Sequence, residues 1–118
     1  MDLRTAKDLL HIDEWLRLAA QIVEHGELAY LSDPLLQEAG DALMMKLGEA
    51  ARRLQERGVT APPGIAWRDA SDNRNLLIHE YDRIKRTVAW RTLADALPRW
   101  RIALAPMIRE ARHTVDPR

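Results

Sequence analysis

Apolar positions recur along this chain three and four residues apart, the spacing of one helix face, and no stretch alternates like a strand for more than a few residues. Leu9, Ile12, Leu16, Ala19 and Val23 form one stripe, with Lys7, Glu14, Arg17, Gln21 and Glu24 opposite, which predicts a first amphipathic helix that weakens or ends at Gly26. Ser32-Asp33-Pro34 joins a capping side chain to a proline suited to a helix's first turn, and Leu36, Ala39, Leu43, Leu47, Ala50 and Leu54 align behind it as a second helix closed by Gly58. Gly58, Pro62, Pro63 and Gly64 mark residues 58–66 as a loop. A short third helix is predicted from about Trp67 to Tyr81. The last helix carries the cleanest stripe, Ala89, Leu93, Ala96, Leu97, Trp100, Leu104, Met107, Ile108 and Ala111, and Pro98 and Pro106 predict a kink or break within it. The pattern is that of an all-α, up-and-down bundle of four to five helices, a single domain over residues 1–118.

The second helix departs from a simple stripe at Ala42-Leu43-Met44-Met45-Lys46-Leu47-Gly48, where apolar or small residues take up nearly the whole circumference. A helix apolar on several sides is buried on several sides. In so short a bundle this suggests a subunit interface added to the core, and the alternative is that Met44 and Met45 fill irregular gaps within one chain.

Composition narrows the chemistry. The chain has no Cys and four His, so disulfides and thiolate catalysis are excluded and a reducing compartment is expected. Charge breaks every apolar run, and Met1-Asp2-Leu3-Arg4 lacks the basic and apolar regions of a signal peptide, so a soluble, cytoplasmic protein with no membrane partner is expected. The formal charge of zero hides an asymmetry: residues 1–82 hold 9 Lys/Arg against 15 Asp/Glu, whereas residues 83–118 hold 9 against 3. Arg83, Arg86, Arg91, Arg99, Arg101, Arg109 and Arg112 supply most of the basic excess, as a solvated face, a phosphate-binding face or a surface for an acidic partner.

Around residue 74 the sequence ceases to look generic. Arg74, Leu77, Ile78 and Tyr81 share one helix face, which places a guanidinium in line with apolar residues, while Asp72, Asn75 and His79 share another. A guanidinium directed at packed surface needs a carboxylate, phosphate or carbonyl to receive it, and the structural alternative is an ion pair with Glu49 or Asp72. Five residues separate Arg74 from His79, or about 140° of azimuth and about 7.5 Å of rise on an ideal helix. One helix does not aim both at one atom, so either it loosens near His79 or two copies of the segment build the site together. His11, His25 and His113 have no metal-ligand spacing, and glycine-rich phosphate loops and nucleophile elbows are absent. Trp15, Trp67, Trp90 and Trp100 are expected as core or interface anchors, with base stacking the alternative for Trp67.

The string Arg74-Asn75-Leu76-Leu77-Ile78-His79-Glu80-Tyr81 resembles the Arg-x4-His-x-Tyr motif of HepT toxins, a branch of the HEPN superfamily of helical ribonucleases. Gly48-Glu49-Ala50-Ala51-Arg52-Arg53-Leu54 resembles the family's second-helix signature, Ile65-Ala66-Trp67-Arg68-Asp69 its lead-in to the motif helix, and Ala94-Asp95-Ala96-Leu97-Pro98 its final-helix stretch. Glu80 stands where these proteins often have Gly, and Asp72-Asn73 where Gly-Met is usual. The likeness, in order and spacing, spans roughly residues 5–111.

The resemblance implies the HEPN fold, a homodimer whose two motifs face each other across a cleft, and a metal-independent endoribonuclease with no cofactor. RNA carries its own nucleophile, the 2′-OH, so such an enzyme needs a base, an acid for the 5′-oxygen and a cation for the phosphorane charge. By resemblance Arg74 and His79 are catalytic, with Asn75, Glu49 and Asp72 in support. Tyr81 would accept AMP from an MntA-like nucleotidyltransferase antitoxin, bringing charge and bulk to the place where RNA phosphate must sit. The substrate class implied is RNA, with transfer RNA the family's usual candidate. The alternative is a catalytically silent HEPN module that binds a nucleotidyltransferase or RNA.

Overall fold

A computed structural model describes residues 1–79 and 84–118, with His79 described by its backbone. Its elements are α1 (Leu3–Glu24), α2 (Glu27–Ser32), α3 (Pro34–Glu56), α4 (Trp67–His79), α5 (Arg86–Arg91), a π turn (Thr92–Ala96) and α6 (Leu97–Val115). The last three run on without interruption, so the described chain makes five helical rods and no strand.

Local chemistry sets the ends of these rods. Asp2 caps α1 by accepting a hydrogen bond from the Thr5 amide at 2.8 Å, and Asp33 caps α3 in the same way from Leu35 at 2.9 Å, with Pro34 in the first turn as the sequence predicts. Gly26, at φ 90°, turns the chain out of α1 through a conformation that side-chain-bearing residues rarely adopt. The apolar pattern does not predict α2, a short helix over residues 27–32 that seats Tyr30 in the core with no exposed surface. Six residues with one buried anchor are too few to leave a periodic signal.

Of the two prolines in the last rod, only one meets a change of helix type. The Leu97 amide donates to the Thr92 carbonyl, five residues back, so the π turn lies immediately before Pro98. Pro98 has no amide to donate and its ring crowds the carbonyl four residues earlier, a conflict that the wider turn accommodates. Pro106 lies inside α6, which continues past it without a break.

The core runs between α1, α3 and α6, and α4 packs on a further side of α3. Leu9, Ile12, Met44, Leu54, Leu93 and Leu104 are all but completely enclosed. Met44 and Leu47 are therefore buried within one chain, and most of the apolar circumference of α3 is used up by its own neighbours. Tertiary ion pairs tie the rods together: Asp8 of α1 to Arg53 and Arg57, Asp13 of α1 to Arg112 at 2.7 Å, and Asp41 of α3 to Arg86. No helix among the described residues is long and apolar enough to cross a membrane.

Candidate active site

The motif helix α4 is anchored at its first residue. Trp67 is 4% exposed, donates its indole N–H to the Val59 carbonyl at 2.8 Å and meets Trp100 edge-on at a centroid distance of 5.9 Å. A ring so enclosed is a packing anchor and is not free to stack on a base. Leu77, 4% exposed, holds the other end of the described helix against the core.

Between these anchors α4 crosses α3 at Gly48. A β-carbon added there would meet the Arg74 Cβ at 2.4 Å and the Ala70 carbonyl oxygen at 2.5 Å, closer than real atoms approach. Glycine inside a helix costs about 1 kcal/mol relative to alanine, so its place here has a packing reason: it lets the backbones meet at the root of Arg74.

Arg74 itself is half-buried, and among the described residues it has no carboxylate partner. Its guanidinium reaches Asn75 Oδ1 at 3.4 Å. Glu49 pairs instead with Arg53 at 3.5 Å and Asp72 lies 3.8 Å from Arg68, so neither of the carboxylates expected to orient Arg74 does so within one chain. Among the described residues, the guanidinium, whose hydrogen bond to Asn75 lies in an exposed position, thus has no carboxylate partner.

The motif's remaining residues are less fully placed. His79 closes α4, and because the helix is continuous from Trp67 the Cα positions of Arg74 and His79 stand about 140° apart around its axis. The His79 side chain, Glu80 and Tyr81 lie outside the described residues. Among the described residues no group of three or more His, Asp or Glu is arranged to hold a metal ion.

The arginines of the last rod divide into two sets. Arg86 and Arg112 are used internally, against Asp41 and Asp13, while Arg91, Arg99, Arg101 and Arg109 are exposed and form no ion pair among the described residues. Arg83 lies outside the described residues. The Asp41 pair was not read from the sequence. Arg86 donates from both terminal nitrogens to the two Asp41 oxygens at 2.9 Å, and to the Tyr30 hydroxyl at 3.3 Å. The Asp41 hydrogen bonds hold the Arg86 guanidinium more firmly protonated than usual despite its burial, whereas burial pushes the Tyr30 hydroxyl up. A carboxylate beside Gly40 in an otherwise apolar stretch of α3 was the available signal, but its partner lies 45 residues away.

A sequence profile described as "Ribonuclease HepT-like" matches residues 12–107. The chain belongs to the HepT-like family. A protein of Caldanaerobacter subterraneus subsp. tengcongensis, provisionally named an RNase, is 26% identical to this HepT-like chain over 69 residues, which is 58% of the chain and 62% of that relative. The HepT-like chain therefore matches less than two thirds of the relative's length. No solved structure matches it.

Proposed function

We propose that this HepT-like chain is a metal-independent endoribonuclease toxin that works as a homodimer. The observation that carries this reading is the half-buried Arg74, rooted at the Gly48 crossing with no carboxylate among the described residues to neutralise it. A guanidinium rooted at a tight helix crossing and without a carboxylate partner suits the non-bridging oxygens of a phosphodiester, which it grips by paired hydrogen bonds. Family membership supports RNA as the polymer that supplies the phosphodiester.

In this mechanism the 2′-OH attacks the adjacent phosphorus and the 5′-oxygen leaves, giving a 2′,3′-cyclic phosphate and a 5′-hydroxyl end. Arg74 stabilises the charge that grows on the phosphorane. His79 supplies the motif's imidazole, a group suited to both accepting and donating a proton, and two copies across a dimer divide the tasks of base and acid. The angular separation of residues 74 and 79 on a continuous helix supports a site completed by a second protomer. Asn75 orients Arg74 through its side-chain oxygen. Tyr81 is the residue we assign to AMP transfer by an MntA-like nucleotidyltransferase antitoxin, which silences the site by adding negative charge where the RNA phosphate binds.

The test is expression without any partner. The parent chain stops growth and leaves RNA with 2′,3′-cyclic phosphate ends, and His79→Ala does neither. Equal toxicity of the two would remove His79 as the catalyst, and the absence of cleavage from the parent would leave a binding module. Co-expression with the cognate nucleotidyltransferase adds AMP mass to the parent but not to Tyr81→Phe.

A further inference from the structure

Beside the motif helix lies a cleft of about 240 Å3 that the catalytic reading leaves unused. Leu76 and Leu77 of α4 form one wall, and Val88 and Ala89 of α5 form the other. Leu76 and Val88, 54% and 46% exposed, stand as apolar residues open to solvent. The polar lining groups among the described residues are Asn73, Lys85 and Thr92. Thr92 is engaged, donating its hydroxyl to the Val88 carbonyl at 3.3 Å. The Asn73 amide has no hydrogen-bond partner among the described residues, and Lys85 there has no ion pair.

Size, lining and position select the occupant. The volume falls below the roughly 300–1,000 Å3 typical of sites for whole drug-sized ligands, so it suits one flat heterocycle with the rest of its molecule outside. Aliphatic walls receive the faces of such a ring, and a free carboxamide offers a donor and an acceptor side by side. That pair matches the edge of adenine, whose exocyclic amine and N7 an asparagine reads together. Lys85 supplies a cation for a neighbouring phosphate. Asn73 immediately precedes Arg74 on α4, about 100° around the helix axis, so the cleft and the phosphate assigned to Arg74 lie on adjoining faces of the same helix.

We propose that the cleft between α4 and α5 is a base slot, in which Asn73 selects adenine at the nucleotide flanking the scissile phosphate. This assignment rests on the ribonuclease reading and adds a sequence preference to it. Single-stranded RNA is read in this manner, by bases unstacked into pockets and held at their edges. A second copy of the chain is the competing occupant, and the experiment separates the two.

The full chain is assayed on short single-stranded RNAs that differ only in the base beside one cleavable position, and AMP and UMP binding are measured by titration calorimetry. At least tenfold faster cleavage beside adenine is expected, with AMP bound at least tenfold more tightly than UMP. Asn73→Asp, which replaces the amide donor with an acceptor, removes both differences while the circular dichroism spectrum stays unchanged. Val88→Trp fills the slot and gives the same loss of preference if Asn73→Asp disturbs the fold. Equal handling of all bases, a preference unmoved by Asn73→Asp, or a Val88→Trp variant that changes only the oligomeric state would overturn the assignment. If the parent cleaves no RNA yet binds AMP over UMP, the ribonuclease reading fails and the slot stands. Failure of both measurements removes both.

Discussion

Gly48 and Arg74 meet where α3 and α4 cross, with no room between them for one more carbon. Neither obstacle to a larger residue is the loose end of a side chain. The Arg74 Cβ and the Ala70 carbonyl both move only if α4 moves. Gly48→Ala gains about 1 kcal/mol of helix propensity, but overpacking of a tight contact costs about 1–3 kcal/mol, so overpacking wins. We expect a Tm lower by several degrees in a thermal melt, and RNA cleavage reduced more than the small unfolded fraction explains, because α4 carries Arg74 outward. Unchanged cleavage together with the lower Tm would show that the crossing serves stability alone.

Arg74 has no ion pair to lose among the described residues, so its substitution separates chemistry from folding. Arg74→Lys keeps the Cβ, most of the aliphatic stem and the charge, but loses the planar fork that fits a phosphate. Denaturant unfolding is expected to stay within about 0.5 kcal/mol of the parent, in the range of substitutions away from strong interactions. Cleavage is expected to fall at least tenfold. A large loss of stability would instead mark Arg74 as a structural residue.

The Asp41–Arg86 pair gives the opposite expectation, stability before chemistry. Asp41 is 3% exposed, and removing one member of a buried pair typically costs about 3–5 kcal/mol because the other charge is left without a partner. Arg86 keeps some access to water, so Asp41→Ala should fall at the low end, about 3 kcal/mol by urea denaturation. The double variant Asp41→Leu/Arg86→Met should recover most of that loss. A double variant as unstable as Asp41→Ala would show that packing around the pair, and not the stranded charge, sets the cost.

Asp8 links stability to acid. Its burial raises the pKa, but hydrogen bonds from Arg53 and Arg57 outweigh that effect and hold the carboxyl below its usual value of 3.8. A group whose pKa is lower folded than unfolded stabilises the fold above the unfolded pKa, and that contribution disappears as pH falls through the folded value. Asp8→Asn is therefore expected to be less stable than the parent at pH 7, with the gap narrowing below about pH 4. Unfolding free energies measured from pH 7 to pH 3 check this, and a gap that widens on acidification would contradict it.

Much of the fold is legible in the chain because helices are specified locally. Apolar residues at helical spacing, Asp33-Pro34 at the start of α3 and Gly26 at the end of α1 each act through atoms a few residues away, so their consequences can be read in one dimension. The Arg-x4-His-x-Tyr spacing is legible in the same way, as a pattern along the chain. What packs against what is a different kind of fact. The sequence does not say that the apolar girdle around Met44 is met by the chain's own helices, that Arg74 pairs with neither Glu49 nor Asp72, or that Asp41 finds a cation 45 residues later. Those outcomes depend on the angles and distances at which whole helices cross, and the crossing is decided by the sum of all their contacts. Gly48 shows the divide most clearly: along the chain it is a weak spot in a helix, and only in three dimensions is it the gap into which Arg74 is set.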